Sequence, residues 1–289
     1  MRFIGNKEKL VDWIYDEIRS TGLKEGLFFD FFSGTTNVAK HFKKKGFQIV
    51  SSDLLFSSYV LQRAYIKNND TPEFKNLLDN LTAPSSLFPL TNLEIVLNYL
   101  DNLNLIEGFI YKNYTPEGTK NLDVPRMYFT SSNGKRIDTI RYKIENWFND
   151  NIISENEYYV LIACLIETVP YYANISGVYA AFHKTWDPRA KKELKLRSIS
   201  FINNNKKNNV YNTNSLNLIN KYEYDIIYLD PPYNSRQYAP NYHLLETIAK
   251  NDKPEIKGVS GMRDYSKQKS NFCVKSKAIS ELEIILNQA

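Results

Sequence analysis

Cysteine is nearly absent from this 289-residue chain: Cys164 and Cys273 stand far apart, with neither metal-site spacing nor enough partners for a disulfide framework. Histidine is as scarce, three scattered residues, so no zinc-ligand pattern forms. No apolar run is long enough to span a bilayer, no amino-terminal leader pattern is visible, and no internal repeat recurs. These shortages argue against a disulfide-stapled secreted scaffold, a zinc site and a membrane-spanning helix. The expectation they leave is a soluble cytoplasmic α/β protein. What the chain does have is aromatic weight, 14% with 21 tyrosines, and a net charge of +5. That charge permits a polyanionic partner without demanding one. The length suits one large domain, or one domain carrying a smaller inserted one.

After Met1-Arg2-Phe3-Ile4-Gly5-Asn6-Lys7, the residues Leu10, Ile14 and Ile18 repeat at spacing four, with Val11 and Trp13 widening the apolar face of a helix that Thr21-Gly22 ends. Leu27 to Phe32 reads as the first strand of a parallel sheet, buried on both faces. A helix from the Ser33-Gly34-Thr35-Thr36 turn to about Lys45, a strand from Gln48 to Ser52 and a helix from about Phe56 to Asn68 follow. Together they make a right-handed strand-helix-strand unit. About 130 residues then lack any glycine-rich cofactor signal. Thr71 to Asn104 is polar and broken by Pro72, Pro84 and Pro89, and 101–134 is loop-rich. Arg136 to Trp147 and Glu155 to Val169 turn helical. An insertion of that size is too long for a loop in a compact domain. Trp147, Tyr158 and Leu161 are candidates for its own small core.

Two turns carry chemistry. Asp225 to Leu229 is a short, mostly apolar run ending at Asp230-Pro231-Pro232-Tyr233, so it reads as a buried strand that the prolines stop at once. A carboxylate and an aromatic ring then stand just past the carboxyl end of a strand, where open α/β sheets bind ligands. In Asp30-Phe31-Phe32-Ser33-Gly34-Thr35-Thr36, Gly34 lets the backbone approach a ligand, and the next helix offers free N–H groups. Asp53, nineteen residues after Gly34, ends the second strand and is placed to bind ribose hydroxyls. Between His183 and Lys207 eight Lys or Arg face only Asp187 and Glu193, a basic stretch suited to phosphates.

Asp230-Pro231-Pro232-Tyr233 resembles the catalytic motif of amino-methyltransferases that use S-adenosylmethionine. The Asp30 turn resembles the first motif of adenine-specific DNA methyltransferases, Asp-x-Phe-x-Gly-x-Gly, and Phe3-Ile4-Gly5-Asn6-Lys7 resembles the segment those enzymes carry before the sheet. The order of amino-terminal segment, cofactor turn, long insertion and catalytic motif is that of the D12 class, or α-group, of DNA adenine methylases, over roughly residues 1–69 and 173–250. The resemblance implies a Rossmann-like S-adenosylmethionine-dependent methyltransferase sheet with helices on both faces, in residues 1–69 and 208–289. A mainly helical target-recognition insertion would fill 70–207.

By the same resemblance, Asp230, Pro231, Pro232 and Tyr233 are catalytic. Phe3, Lys7, Asp30, Phe32, Ser33, Gly34, Thr35, Asp53, Asn214 and Asp230 hold S-adenosylmethionine, and Lys184, Arg189, Lys191 and Lys192 clamp DNA phosphates. The implied reaction is methylation at N6 of a flipped adenine in double-stranded DNA, as the modification half of a restriction–modification system. A cognate restriction endonuclease, or a second polypeptide completing the fold, is the implied partner. The alternative is an inactive or incomplete DNA-binding relative, or a specificity subunit needing a partner chain. Two departures motivate it. Thr36 stands at the second glycine, where threonine is expected to keep ordinary helical angles in a wider turn. Asn214 stands where an acidic residue usually contacts the cofactor's adenine, although its amide can still hold an exocyclic amine. Family members usually continue with further strands, which leaves three readings open: a fragment, a partner polypeptide, or a short sheet.

Overall fold

A computed structural model of the chain describes residues 4–79, 81, 89–232 and 235–288. They divide into two compact units, one from Phe3–Thr71, Ser200–Ala239 and Tyr265–Ala289, the other chiefly from Pro72–Ile199 and Pro240–Asp264.

The first unit is an α/β layer structure. Its strands β1 (Leu27–Asp30), β2 (Gln48–Ser52), β3 (Asn209–Tyr211) and β4 (Ile226–Tyr228) form one parallel sheet in the order β3-β2-β1-β4. The central strand β1 is apolar because both of its faces are covered. On one face Phe28 stacks on Phe42 of α2 (Asn37–Lys44), ring centroids 4.1 Å apart. On the other, Phe29 and Val50 pack with Leu218, Ile219 and Ile285 of α10 (Lys275–Gln288). Entry to the sheet is pinned by Asp225, whose carboxylate accepts from Leu27 N at 2.6 Å while its own N–H donates to Leu27 O. Gly26 is needed there: its φ is 141°, and an added Cβ would sit 2.5 Å from the Asp225 carboxylate.

The remaining helices of this unit are α1 (Val11–Ser20) and α3 (Phe56–Gln62), the latter running on into a π-helical turn, Arg63–Lys67. No residue of α1 is fully buried, and Leu10 and Trp13 stay exposed, so its amphipathic pattern covers only part of the face it suggests. Strand β1 stops at Asp30, two residues before the end of the apolar run, because Phe31 already starts the turn. Strand β3 falls in a polar stretch with no strand pattern of its own.

The second unit is mainly helical. It holds α4 (Lys75–Leu78), α5 (Asn92–Asp101), α6 (Phe109–Tyr114), α7 (Ser131–Asn149), α8 (Glu155–Thr168) and all but the first two residues of α9 (Tyr238–Lys250), which is non-helical at Tyr242. A short antiparallel hairpin, β5 (Ile256–Lys257) with β6 (Met262–Arg263), completes it. Reciprocal caps start α5 at Thr91/Glu94 and α8 at Ser154/Glu157. The start of α6 is held by Asp138, whose carboxylate accepts the N–H groups of Gly108, Ile110 and Tyr111. Trp147 and Leu161 are buried here, and Tyr158 stacks on Phe148 at 4.4 Å.

Segment 240–264, which sequence reading grouped with the sheet, packs in this helical unit. Buried guanidinium groups bring it there: Arg141 donates to the carbonyls of Ile248 and Ala249, and Arg126 to those of Gly258 and Val259. Tyr114 adds a bond to Gly261 O. Among the described residues no helix is long and apolar enough to cross a membrane.

Lys43 is fully buried in the α/β unit and caps the π-turn, its ammonium donating to Tyr65 O (3.0 Å) and Asn68 O (2.5 Å). Burial lowers its pKa from 10.5 to about 8. Below pH 8 both folded and unfolded chains hold the proton, and the folded state bears the cost of burying it. Between about 8 and 10.5 the unfolded chain binds more protons, so stability rises with pH. In urea unfolding, wild type should therefore gain on Lys43→Met across that window, and a flat difference would show that the ammonium reaches water.

Candidate functional site

The sheet's parallel register decides where the acids meet. Asp30 pairs with Ser51 on one side and Tyr228 on the other. Asp53 and Asp230 lie two residues beyond those partners, so three acidic residues emerge at one sheet edge. They line an open cleft whose non-atom space, solvent included, is about 1150 Å³.

The turn after β1 forms the floor. Gly34 has a φ of 47°, and its N–H donates to Asp53 Oδ2 at 2.8 Å; Leu55 N donates to Asp53 Oδ1 at 2.8 Å. The Asp53 carboxylate is thus held by two backbone N–H groups across the turn. Ser33 is buried in this floor, its side chain beside the Asp30 carboxyl. Thr36 corrects the sequence expectation. It adopts the left-handed conformation (φ 62°, ψ 13°) rather than helical angles. The tight turn persists because Thr36 N donates to Ser33 O (2.6 Å), its hydroxyl to Thr35 O, and its carbonyl accepts Lys40 N to begin α2. A β-branched residue in that region is a true outlier.

Electrostatics separate the three acids. Asp30 is 2% exposed, and burial lifts its pKa to about 7 against a bond from Ala39 N–H, with the Asp53 and Asp230 charges adding to the rise. The Asp230 carboxyl is also raised by burial, but Lys7 opposes the shift, its Nζ 3.2 Å from Oδ1. Pro232 lines the cleft next to it, with Pro231 between the two. The Asn214 side chain accepts from Leu216 N at 3.1 Å and so caps the short turn Ser215–Leu218 while lining the cleft.

Every described residue expected to hold the cofactor, namely Lys7, Asp30, Phe32, Ser33, Gly34, Thr35, Asp53, Asn214 and Asp230, therefore lines this single cleft. Phe3 and Tyr233 lie outside the described residues. Lys184, Arg189, Lys191 and Lys192 belong to the helical unit. Lys184, Lys191 and Lys192 are exposed; Arg189 is half-buried and bound to Asp187, whose pKa falls to about 2 through hydrogen bonds from the Arg189 side chain and backbone.

Sequence reasoning missed one wall of the cleft. Segment 268–272 crosses it, Gln268 Nε2 donating to Leu54 O (3.2 Å) and Phe272 meeting Phe32 edge-on at 5.2 Å. Gln237 exchanges two bonds with the Ser270 backbone, at 3.0 and 2.8 Å. No local pattern announces these contacts, which join residues more than thirty positions apart. Asn6 and Asn37 were also passed over, although Asn6 sits inside the amino-terminal motif.

The chain is 42% identical to type II methyltransferase M.FokI of Planomicrobium okeanokoites, over all of this chain and 43% of that protein. It is 38% identical to modification methylase StsI of Streptococcus sanguinis, over 96% of this chain and 41% of that protein. With type II methyltransferase M.NlaIII of Neisseria lactamica it shares 36% identity over all of this chain and 80% of the relative. The chain thus spans about two-fifths of the length of the first two relatives. No solved structure matches it. Residues 3–287 match one family along nearly their whole length, and the chain belongs to it: the D12 class N6 adenine-specific DNA methyltransferases.

Proposed function

We propose that this chain transfers a methyl group from S-adenosylmethionine to N6 of an adenine flipped out of double-stranded DNA, as the modification enzyme of a restriction–modification system. The observation that carries the reading is the meeting of Asp53, the Gly34 turn and Asp230 in one cleft of a D12-class chain. The α/β unit is then a Rossmann-like methyltransferase sheet, and the helical unit the target-recognition part. The reading implies a cytoplasmic enzyme whose partners are duplex DNA and a cognate restriction endonuclease or second polypeptide.

The cleft's residues fit the cofactor. Asp53 places a carboxylate past the second strand, where ribose hydroxyls would be held, and Gly34, with φ 47°, leaves the turn open to close approach by a ligand. S-adenosylmethionine supplies an electrophilic methyl on a sulfonium. An adenine amine is a poor nucleophile, because its lone pair is delocalised into the ring. Asp230 and the Pro231 carbonyl accept its two N–H bonds, which lets the nitrogen turn tetrahedral and aim its lone pair. Positioning then supplies much of the rate. The amine must leave the helix to reach Asp230, with Tyr233 as the stacking face for the extruded base. The left-handed Thr36 favours this reading over an inactive relative, since the turn keeps the shape a glycine would give it.

Tritium transfer from S-adenosylmethionine to unmethylated duplex DNA tests the reading directly, and label appearing only on RNA or protein would overturn it. Asp230→Ala should abolish transfer while calorimetry finds cofactor affinity nearly unchanged, because the carboxylate faces the amine. Asp53→Ala should weaken cofactor binding more than DNA binding, by about 1.5–3 kcal/mol, roughly one to two decades. An unchanged dissociation constant would remove Asp53 from the site.

The exposed Lys191 and Lys192 should meet phosphates. Their joint replacement by glutamine should flatten log affinity against log salt by up to about two units, near 0.9 per lost contact. Loss confined to the cognate sequence would instead make them base readers.

A further inference from the structure

Lys7 is more constrained than an amino-terminal lysine need be. The residue before it, Asn6, accepts from Asn37 Nδ2 (2.6 Å) at the first turn of α2 and from Glu8 N (2.9 Å). The Lys7 carbonyl accepts Leu10 N at 2.7 Å. Backbone on both sides is therefore tied down, and the side chain is only 18% exposed. Its ammonium reaches across the cleft to Asp230 Oδ1 at 3.2 Å.

We propose that Lys7 is a positioning residue for Asp230, keeping that carboxylate ionised and turned into the cleft as a hydrogen-bond acceptor. The proposal rests on the methyl-transfer reading above. An exocyclic amine donates most strongly to an ionised carboxylate oxygen. A protonated carboxyl offers one acceptor oxygen and one competing O–H. Partial burial pushes Asp230 towards the protonated form, and the Asp230 charge in turn raises Asp30 at the end of β1. Asp53, at the end of β2, acts on Asp30 in the same sense. Lys7, from the amino-terminal segment, is the charge that opposes burial at Asp230. A neutral adenine amine cannot replace it, since it brings no positive charge. The cleft thus sorts its acids by counter-charge: Asp53 has two backbone N–H groups, Asp230 an ammonium, and Asp30 a single N–H from Ala39.

The test is carboxyl NMR on aspartate-labelled protein without ligands, Asp230 being assigned through Asp230→Asn. An opposite charge at this distance lowers a carboxyl pKa by about 1–3 units, so Lys7→Met and the isosteric neutral Lys7→Gln should raise the Asp230 midpoint by about that much. Lys7→Arg should restore it. In the transfer assay the acid limb of kcat should move upward by the same interval in Lys7→Met and Lys7→Gln and return in Lys7→Arg. A merely structural lysine would lower kcat equally at every pH. An Asp230 midpoint unmoved in either neutral variant overturns the proposal. If the midpoint moves as expected but wild type methylates no DNA, the reaction assigned to the cleft is what fails, and the electrostatic role of Lys7 stands.

Discussion

The parallel register of β1, β2 and β4 is the constraint on which the site depends. Strands that run the same way end at the same edge, and here an acid stands at the end of each: Asp30, Asp53 and Asp230. Three carboxylates cannot share one cleft as bare charges without strong mutual repulsion. The backbone therefore turns at Gly34 so that its N–H faces Asp53, and the amino-terminal segment folds back to bring Lys7 to Asp230. The most buried acid has the Ala39 N–H but no ammonium, and burial carries its pKa to about 7. What looks like a cofactor loop is also an electrostatic solution to the sheet's geometry.

Thr36 shows how strongly that solution is enforced. Left-handed angles cost an L-residue roughly 1–2 kcal/mol, and threonine's branched Cβ makes it a poor occupant. A wider turn would carry Gly34 N away from the Asp53 carboxylate and displace the first turn of α2. The surrounding bonds, from Thr36 N to Ser33 O and from Lys40 N to Thr36 O, hold the strained shape. Chain geometry, rather than the residue's own preference, sets the conformation.

In the helical unit, guanidinium groups do similar organising work. Arg126 and Arg141 reach carbonyls between Ile248 and Val259, more than a hundred positions away, and Asp138 gathers three N–H groups at the head of α6. Planar, always-charged donors suit this role, because one side chain satisfies several carbonyls left open at a helix end or hairpin turn. The unit's shape is then fixed by buried polar clamps as much as by its apolar core.

The amino-acid sequence by itself determined the elements whose signals are local. Strand β2 spans Gln48–Ser52 as read from the sequence, α8 runs Glu155–Thr168 where Glu155 to Val169 reads as helical, and the Asp30 turn, Asp53 and the run ending at Asp230 mark the cleft. The capping box at Thr91/Glu94 would have revealed α5 by the same logic. Tertiary structure alone decided the rest. Strand β3 borrows its hydrogen bonds from β2, so a polar stretch becomes a strand. Lys43 sits in a run of three lysines that reads as solvated surface, yet the end of a π-turn buries it. Segment 268–272 and the Thr36 conformation depend on partners far along the chain. Local signals are written in neighbouring residues because helices and strand ends close over a few positions. A buried charge or a strained turn is stable only when distant groups satisfy it, and those distances exist only once the chain has folded.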